Sequence, residues 1–459
     1  MSGHDHDGAE VRRLHEADEG HTAWRRWGPY VSERAWGTVR EDYSADGDAW
    51  RYFPFEQARS RAYRWNEDGM AAVCDLTQEL CLGLALWNGV DPILKDRMFG
   101  LTGPQGNHGE DAKDYWWYLD STPTHSWMTW RYHYPQAEFP YAQLVEENAR
   151  RGRTDDEYEL VDTGIFNDGR YWVVTVDYAK ATPDDLCMRI TVENAGPDDA
   201  TIHVLPTAWF RNTWSWGRDD AARPELALRA PGVISATSPH LGAQLLAFQA
   251  DGTALFCDNE TNAALLFGAD TSPAYPKDGI DDHVVHGRPT INPAHTGTKA
   301  AIDYVLTVPA GQSREVRVRL APASSGTPDL GAGFDAVIAE RRREADEFYR
   351  QLADDLTDDE ALVMRQAFAG LLWGKQFFHF DVEEWLDGDP AFPAPAPGRG
   401  AIRNSAWRHF SAADVISMPD PWEYPWFAAW DLAFHCVPFS HIDPGFAKFQ
   451  LLLLLREWY

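Results

Sequence analysis

The chain has 459 residues, 13% of them aromatic, which is enough for two domains with large cores. Against 41 basic residues stand 71 acidic ones, and the formal net charge of −30 disfavours nucleic acid and anionic membranes as partners while leaving neutral sugars indifferent. The five cysteines (Cys74, Cys81, Cys187, Cys257 and Cys436) are odd in number and show no CxxC spacing, which speaks against a disulfide framework and a zinc site, and no run reaches the roughly 18 apolar residues of a membrane span.

Residues 1–23 lack the apolar core of a secretory signal and read as a disordered polar tail, so a cytoplasmic protein is expected. The tail's His4, His6, His15 and His21 are assigned to solvated tail, not to metal. From Trp24 to Tyr43 the chain is aromatic and charged, ending in the acidic turn ADGD. Strand signals follow in MAAVCDL (70–76) and ELCLGLALWN (79–88). Residues 100–124 hold turn formers, charges and a Trp-Trp pair, and are read as a long loop. That loop either reaches a binding site or fills a domain interface with Tyr115, Trp116, Trp117 and Tyr118.

Between Ser126 and about Pro322, strand-like runs recur at short intervals: SWMTWRYHY, GRYWVVTVDYA, DLCMRITVENAG, TIHVLPTAWF, QLLAFQA, TALFCD, AALLFG, AIDYVLTV and REVRVRL. In the last of these, Val316, Val318 and Leu320 share one face and Glu315, Arg317 and Arg319 the other. Gly, Pro and Asp turns without intervening helices predict a large antiparallel β-sandwich over residues 24–322. The segment WFRNTWSWGRD (209–219) interrupts it with three tryptophans.

Residues 323–357 are read as a linker and a linker helix, whose Arg341, Arg342 and Arg343 are expected on a solvated face. Thr357-Asp358-Asp359-Glu360 has the form of a capping box, opening a helix to about Gln376. The most informative stretch is SMPDPWEYPWFAAWDLAFH, 417–435. Pro425 suits a first helical turn. Nearly every residue from Trp426 to Val437 is apolar, so this helix is expected to be buried on every face, broken only by Asp431 and His435, which four-residue spacing puts on one side. Trp422, Trp426 and Trp430 recur every four residues beside that carboxylate. Indoles with an acceptor suit a sugar ring; a core helix whose Asp is paired to an Arg or to backbone fits the same pattern.

This stretch, with GKQFFHFDVEEWLDGDP (374–390), IDPGFAKFQLLLLLREWY (442–459) and WGPYVSERAWGTVREDYS (27–44), resembles the glucosidases of glycoside hydrolase family 63 and their bacterial relatives. The resemblance implies an α+β multidomain chain in which an antiparallel β-sandwich is followed by an (α/α)6 toroid, of which residues 358–459 would be the first helices. It also implies inverting hydrolysis of α-glucosidic bonds in small glucosides or oligosaccharides, without a cofactor. Inversion uses two carboxyls about 6.5–9.5 Å apart. The sharply placed carboxylates here are Asp420, Glu423 and Asp431, yet the resemblance makes Trp430-Asp431 a pair that holds substrate. Trp426 and Trp422 would be apolar walls and Glu423 and Tyr424 rim hydrogen-bonders. The acid and base are expected beyond Tyr459, and the run Leu451 to Leu455 needs further protein to cover it, so the chain reads as an incomplete fragment without turnover of its own. A carbohydrate-binding fragment is the alternative; a phosphorolytic enzyme would need a basic anion pocket, for which no signal stands out.

Overall fold

The computed structural model describes residues 8–35, 53–103, 105–108, 111–217, 222–388, 394–395, 398, 401, 405–420 and 427–456. Two antiparallel sheets dominate the first three quarters. One runs in the order Trp27–Gly28, Met70–Asp75, Leu80–Trp87, Ala200–Phe210, Lys299–Val308, Thr253–Cys257. The other runs Thr296–Gly297, Glu225–Ala230, Val233–Ser238, Gly242–Phe248, Ser313–Pro322, Asp185–Asn194, Tyr171–Thr182, Trp127–Pro135, Trp116–Ser121. Alternation places Trp172, Val174, Val176 and Tyr178 on the inner face of one strand, and Val316, Val318 and Leu320 on that of another. They meet Leu82, Leu84, Ile202, Val204 and Ile302 of the opposite sheet in one core, the face-to-face packing of a sandwich.

The outer face of the larger sheet is covered by the helix Ala332–Leu352, whose Phe334, Ile338 and Ala345 pack on Trp127, Ala179 and Cys187. Arg341 lies against that sheet and donates to the Lys180 carbonyl at 2.7 Å, so it leaves the solvated face expected of it, whereas Arg343 stays exposed. The predicted capping box is formed: Thr357 Oγ1 accepts from the Glu360 amide and the Glu360 carboxylate accepts from the Thr357 amide, opening the helix Asp358–Trp373.

Several expectations need correction. Within residues 1–23, Ala9–Asp18 form a helix instead of a disordered tail, because Glu10 and Arg13 are buried and tied to one another and to Thr124, Ser126 and Glu344. The expected loop 100–124 contains the edge strand Trp116–Ser121, and AALLFG is the short helix Ala263–Phe267, whose N-terminus is capped by Asn262. The helix after the capping box stops at Trp373, and Lys375–Asp381 instead pairs with Ser411–Ser417 as an antiparallel hairpin. Its aromatics Phe377, Phe378 and Phe380 are buried in a second core, together with Tyr30, Val31 and Trp65 from the chain's beginning and Leu432, Phe439 and Ile442 from its end. Five helices follow residue 330 among the described residues: Ala332–Leu352, Asp358–Trp373, Val382–Asp387, Ala429–Ile442 and Pro444–Arg456. No described helix is long and apolar enough to cross a membrane.

Candidate functional site

The hairpin brings the C-terminal motif against the N-terminal block. The Phe377 amide donates to the Tyr30 carbonyl at 3.1 Å. At the hairpin's base the Lys375 ammonium meets Asp443 at 2.9 Å, and Arg25 meets the other oxygen of that carboxylate at 2.6 Å. Asp443 also accepts from the Phe446 amide at the start of Pro444–Arg456. Burial works against this carboxylate, but Lys375 and Arg25 outweigh it and hold it below the usual range.

Strand Ser411–Ser417 ends beside the helix Ala429–Ile442. The Ser417 amide donates to the Gln450 side chain at 3.0 Å, and the Ser417 hydroxyl shares a hydrogen bond with His435 Nδ1 at 2.8 Å. Asp431 and His435 stand four residues apart in this helix and so on one side of it, and burial lowers the His435 pKa while the charge of Asp431 opposes the fall. The helix is not buried all round: Leu432, Cys436, Phe439 and Ile442 face inward, while Trp430, Phe434 and Val437 are 71%, 66% and 63% exposed. Its apolar residues exceed what the hairpin and second core can cover, so the outward ones meet solvent in this chain. Asp431 and His435 lie on the border between the two faces. Trp430 is edge-on to Phe434 at 6.0 Å, with most of its indole in solvent. The other expected site residues, Trp422, Glu423, Tyr424 and Trp426, lie outside the described residues, as does Pro425.

A further carboxyl escaped the sequence reading. Glu33, in the N-terminal block, is 2% exposed and accepts from the Tyr118 hydroxyl at 2.6 Å. Burial pushes its pKa up to about 7, the hydrogen bond from Tyr118 opposes the rise, and the charge of Asp420 adds to it. The Tyr118 phenol is itself raised well above its usual value, by burial and by Glu33. Tyr118 stacks on Trp373 at 5.3 Å, with 14° between the planes, so the segment 100–124 reaches the helical region through this ring. Near pH 7 Glu33 is poised between donor and acceptor, the state that burial gives a carboxyl of raised pKa. The signal available in the sequence was only an acidic residue within an aromatic block.

Among the described residues, three carboxylates with metal-ligand proximity, Asp111, Glu157 and Glu159, gather around the buried Lys113 ammonium, whose charge already fills their centre.

No family model matches the chain. It is 42% identical over 497 residues to the uncharacterized protein YMR196W of Saccharomyces cerevisiae (strain ATCC 204508 / S288c), an alignment that covers 98% of this chain and 46% of the yeast protein. The chain thus spans about half the length of the curated relative it matches. Among solved structures, a putative kojibiose phosphorylase from human microbiome is 7% identical with a TM-score of 0.24, covering 70% of this chain and 37% of its own. The family GH92 alpha-mannosidase BT3965 from Bacteroides thetaiotaomicron is 12% identical with a TM-score of 0.22, covering 46% and 28%. Superpositions of this quality carry no argument about fold or chemistry.

Proposed function

We propose that this chain is the substrate-holding part of an α-glycosidase of the glucosidase type, acting with inversion on α-glucosidic bonds of small glucosides or oligosaccharides. Asp431 accepts sugar hydroxyls, Trp430, Trp426 and Trp422 offer apolar faces, and Glu423 and Tyr424 bond at the rim. Residues 358–459 begin an (α/α)6 toroid, and the acid and base lie beyond Tyr459. The observation that carries the reading is the meeting of the two blocks that resemble family 63: residues 27–35 and the hairpin with its helices share one core, joined by the Phe377–Tyr30 and Arg25–Asp443 hydrogen bonds. Asp431 and Trp430 stand at the edge of that core instead of inside it.

The test is hydrolysis of aryl α-glucosides and α-linked glucose disaccharides by the longer gene product that contains this chain, with the anomer released followed by NMR. Release of β-glucose, abolished by Asp431→Ala, is expected. No cleavage of any α-glucoside or α-mannoside, or release with retention, would overturn the proposal.

A further inference from the structure

Beside the helix Ala332–Leu352 lies a groove of about 850 Å³, with Arg189 of the larger sheet on one side and a stripe of the helix from Asp335 to Arg350 on the other. At helical rise that stripe is about 22 Å long. Each acid in the groove already has an arginine: Asp335 meets Arg317 at 2.8 Å, Asp346 meets Arg365 at 2.7 Å and Glu347 meets Arg343 at 3.3 Å. Arg189 is held in turn by Asp177 at 2.6 Å. Two guanidiniums remain. Arg342 and Arg350 both line the groove, both are exposed, and among the described residues neither side chain has a hydrogen bond or an ion pair.

In a chain with 71 acidic residues for 41 basic ones, carboxylates are in excess, and each of these arginines has one within helical reach. Asp346 follows Arg342 by four residues but turns to Arg365, and Asp354 follows Arg350 by four but stands exposed beyond the helix's end. The groove therefore keeps two uncompensated positive charges on a protein whose formal net charge is −30. They are eight residues apart, about 12 Å along the helix, with paired carboxylates between them. The phosphoryl groups of an oligophosphate follow one another directly and would bring their charge to one guanidinium at a time, and a nucleic acid would be repelled by the rest of the chain. An extended polypeptide covers the distance in about four residues, and side chains four apart in a strand point to one side. We propose that this groove docks an acidic, extended segment of a partner protein, two of whose carboxylates pair with Arg342 and Arg350. The docking surface does not depend on the carbohydrate reading.

Fluorescence anisotropy of a labelled peptide in which glutamates recur every fourth residue between glycines and serines tests this on the whole chain, at about 0.01 M and about 0.15 M ionic strength. Saturable binding is expected, weaker at the higher ionic strength, with the peptide's glutamine counterpart silent. It should be about tenfold weaker in the double variant Arg342→Gln/Arg350→Gln and unchanged in Arg153→Gln, which removes an exposed arginine outside the groove. Thermal melts check that the variants fold, and the two single variants decide if the double variant does not. No saturable binding at the lower ionic strength, equal binding of the glutamine peptide, or binding indifferent to the loss of both arginines would overturn the proposal. Inorganic triphosphate is the remaining probe: if it binds, is lost in the double variant, and the peptide stays silent, the groove belongs to a small polyanion and the inference is refuted.

Discussion

Glu33 couples stability to pH in a direction opposite to that of most carboxylates. Its pKa is raised from an ordinary 4.5 to about 7 when the chain folds, so between those values the folded state binds more protons than the unfolded state. The stability associated with the neutral carboxyl is complete below the unfolded value and is lost as pH rises through the folded one. Two and a half pH units at about 1.4 kcal/mol each give about 3.5 kcal/mol, an upper figure because local relaxation lets water reach a buried charge. Glu33→Gln removes the titration, keeps the shape, and leaves an amide oxygen to accept from Tyr118. Urea unfolding of both proteins, followed by tryptophan fluorescence at constant ionic strength from about pH 5 to about pH 8, should show the variant gaining up to about 3 kcal/mol on wild type as pH rises. A difference that is flat with pH, or that grows in favour of wild type, would refute the assignment of a neutral, buried Glu33.

Asp443→Asn should destabilise by about 3–5 kcal/mol, since it leaves the buried Lys375 ammonium without its counter-charge and Arg25 with Asp18 alone, and chemical denaturation measures it. Because the Asp443 carboxyl is held below its usual range, wild type should lose this contribution as pH falls through the folded pKa, and the variant should show no such loss. Trp430→Ala should change stability by less than about 0.5 kcal/mol, because the indole is 71% exposed; a larger drop in thermal melting would mean that it packs on something in solution. Asp431→Ala should leave the melting temperature level or higher while removing hydrolysis by the longer protein, and a large fall in melting with activity retained would make the carboxylate a core brace instead. Leu452→Lys with Leu455→Glu should reduce any self-association of this chain in sedimentation experiments, since these leucines are 64% and 75% exposed.

Local patterns explain why much of the sandwich was legible from the residues alone. Alternation in RYWVVTVDY and REVRVRL is a property of consecutive side chains, and the buried Trp172, Val174 and Val176 and Val316, Val318 and Leu320 follow it. The Thr357–Glu360 capping box likewise spans four residues and formed as read. Short apolar runs were harder: AALLFG has the composition of a strand, and its conversion to a helix depends on Asn262 capping it from outside the run. GKQFFHF follows a helix without a proline to end it, and became a strand because Ser411–Ser417 was available to pair with it.

The candidate site depended on longer reach. The spacing of Asp431 and His435 put them on one side of a helix, but whether that side met core or solvent was set by how many apolar faces the hairpin could cover. Glu33 gained its raised pKa from burial by distant segments and from the charge of Asp420 near the other end of the chain, against the opposing hydrogen bond from Tyr118, 85 residues away. Arg25 and Asp443, 418 residues apart, hold the two ends together. A charge's hydration and partners are properties of the space around it, and no periodicity in neighbouring residues encodes them. Strand faces and helix caps were therefore written in the chain's local order, while the state of its carboxyls waited on which distant segments packed against them.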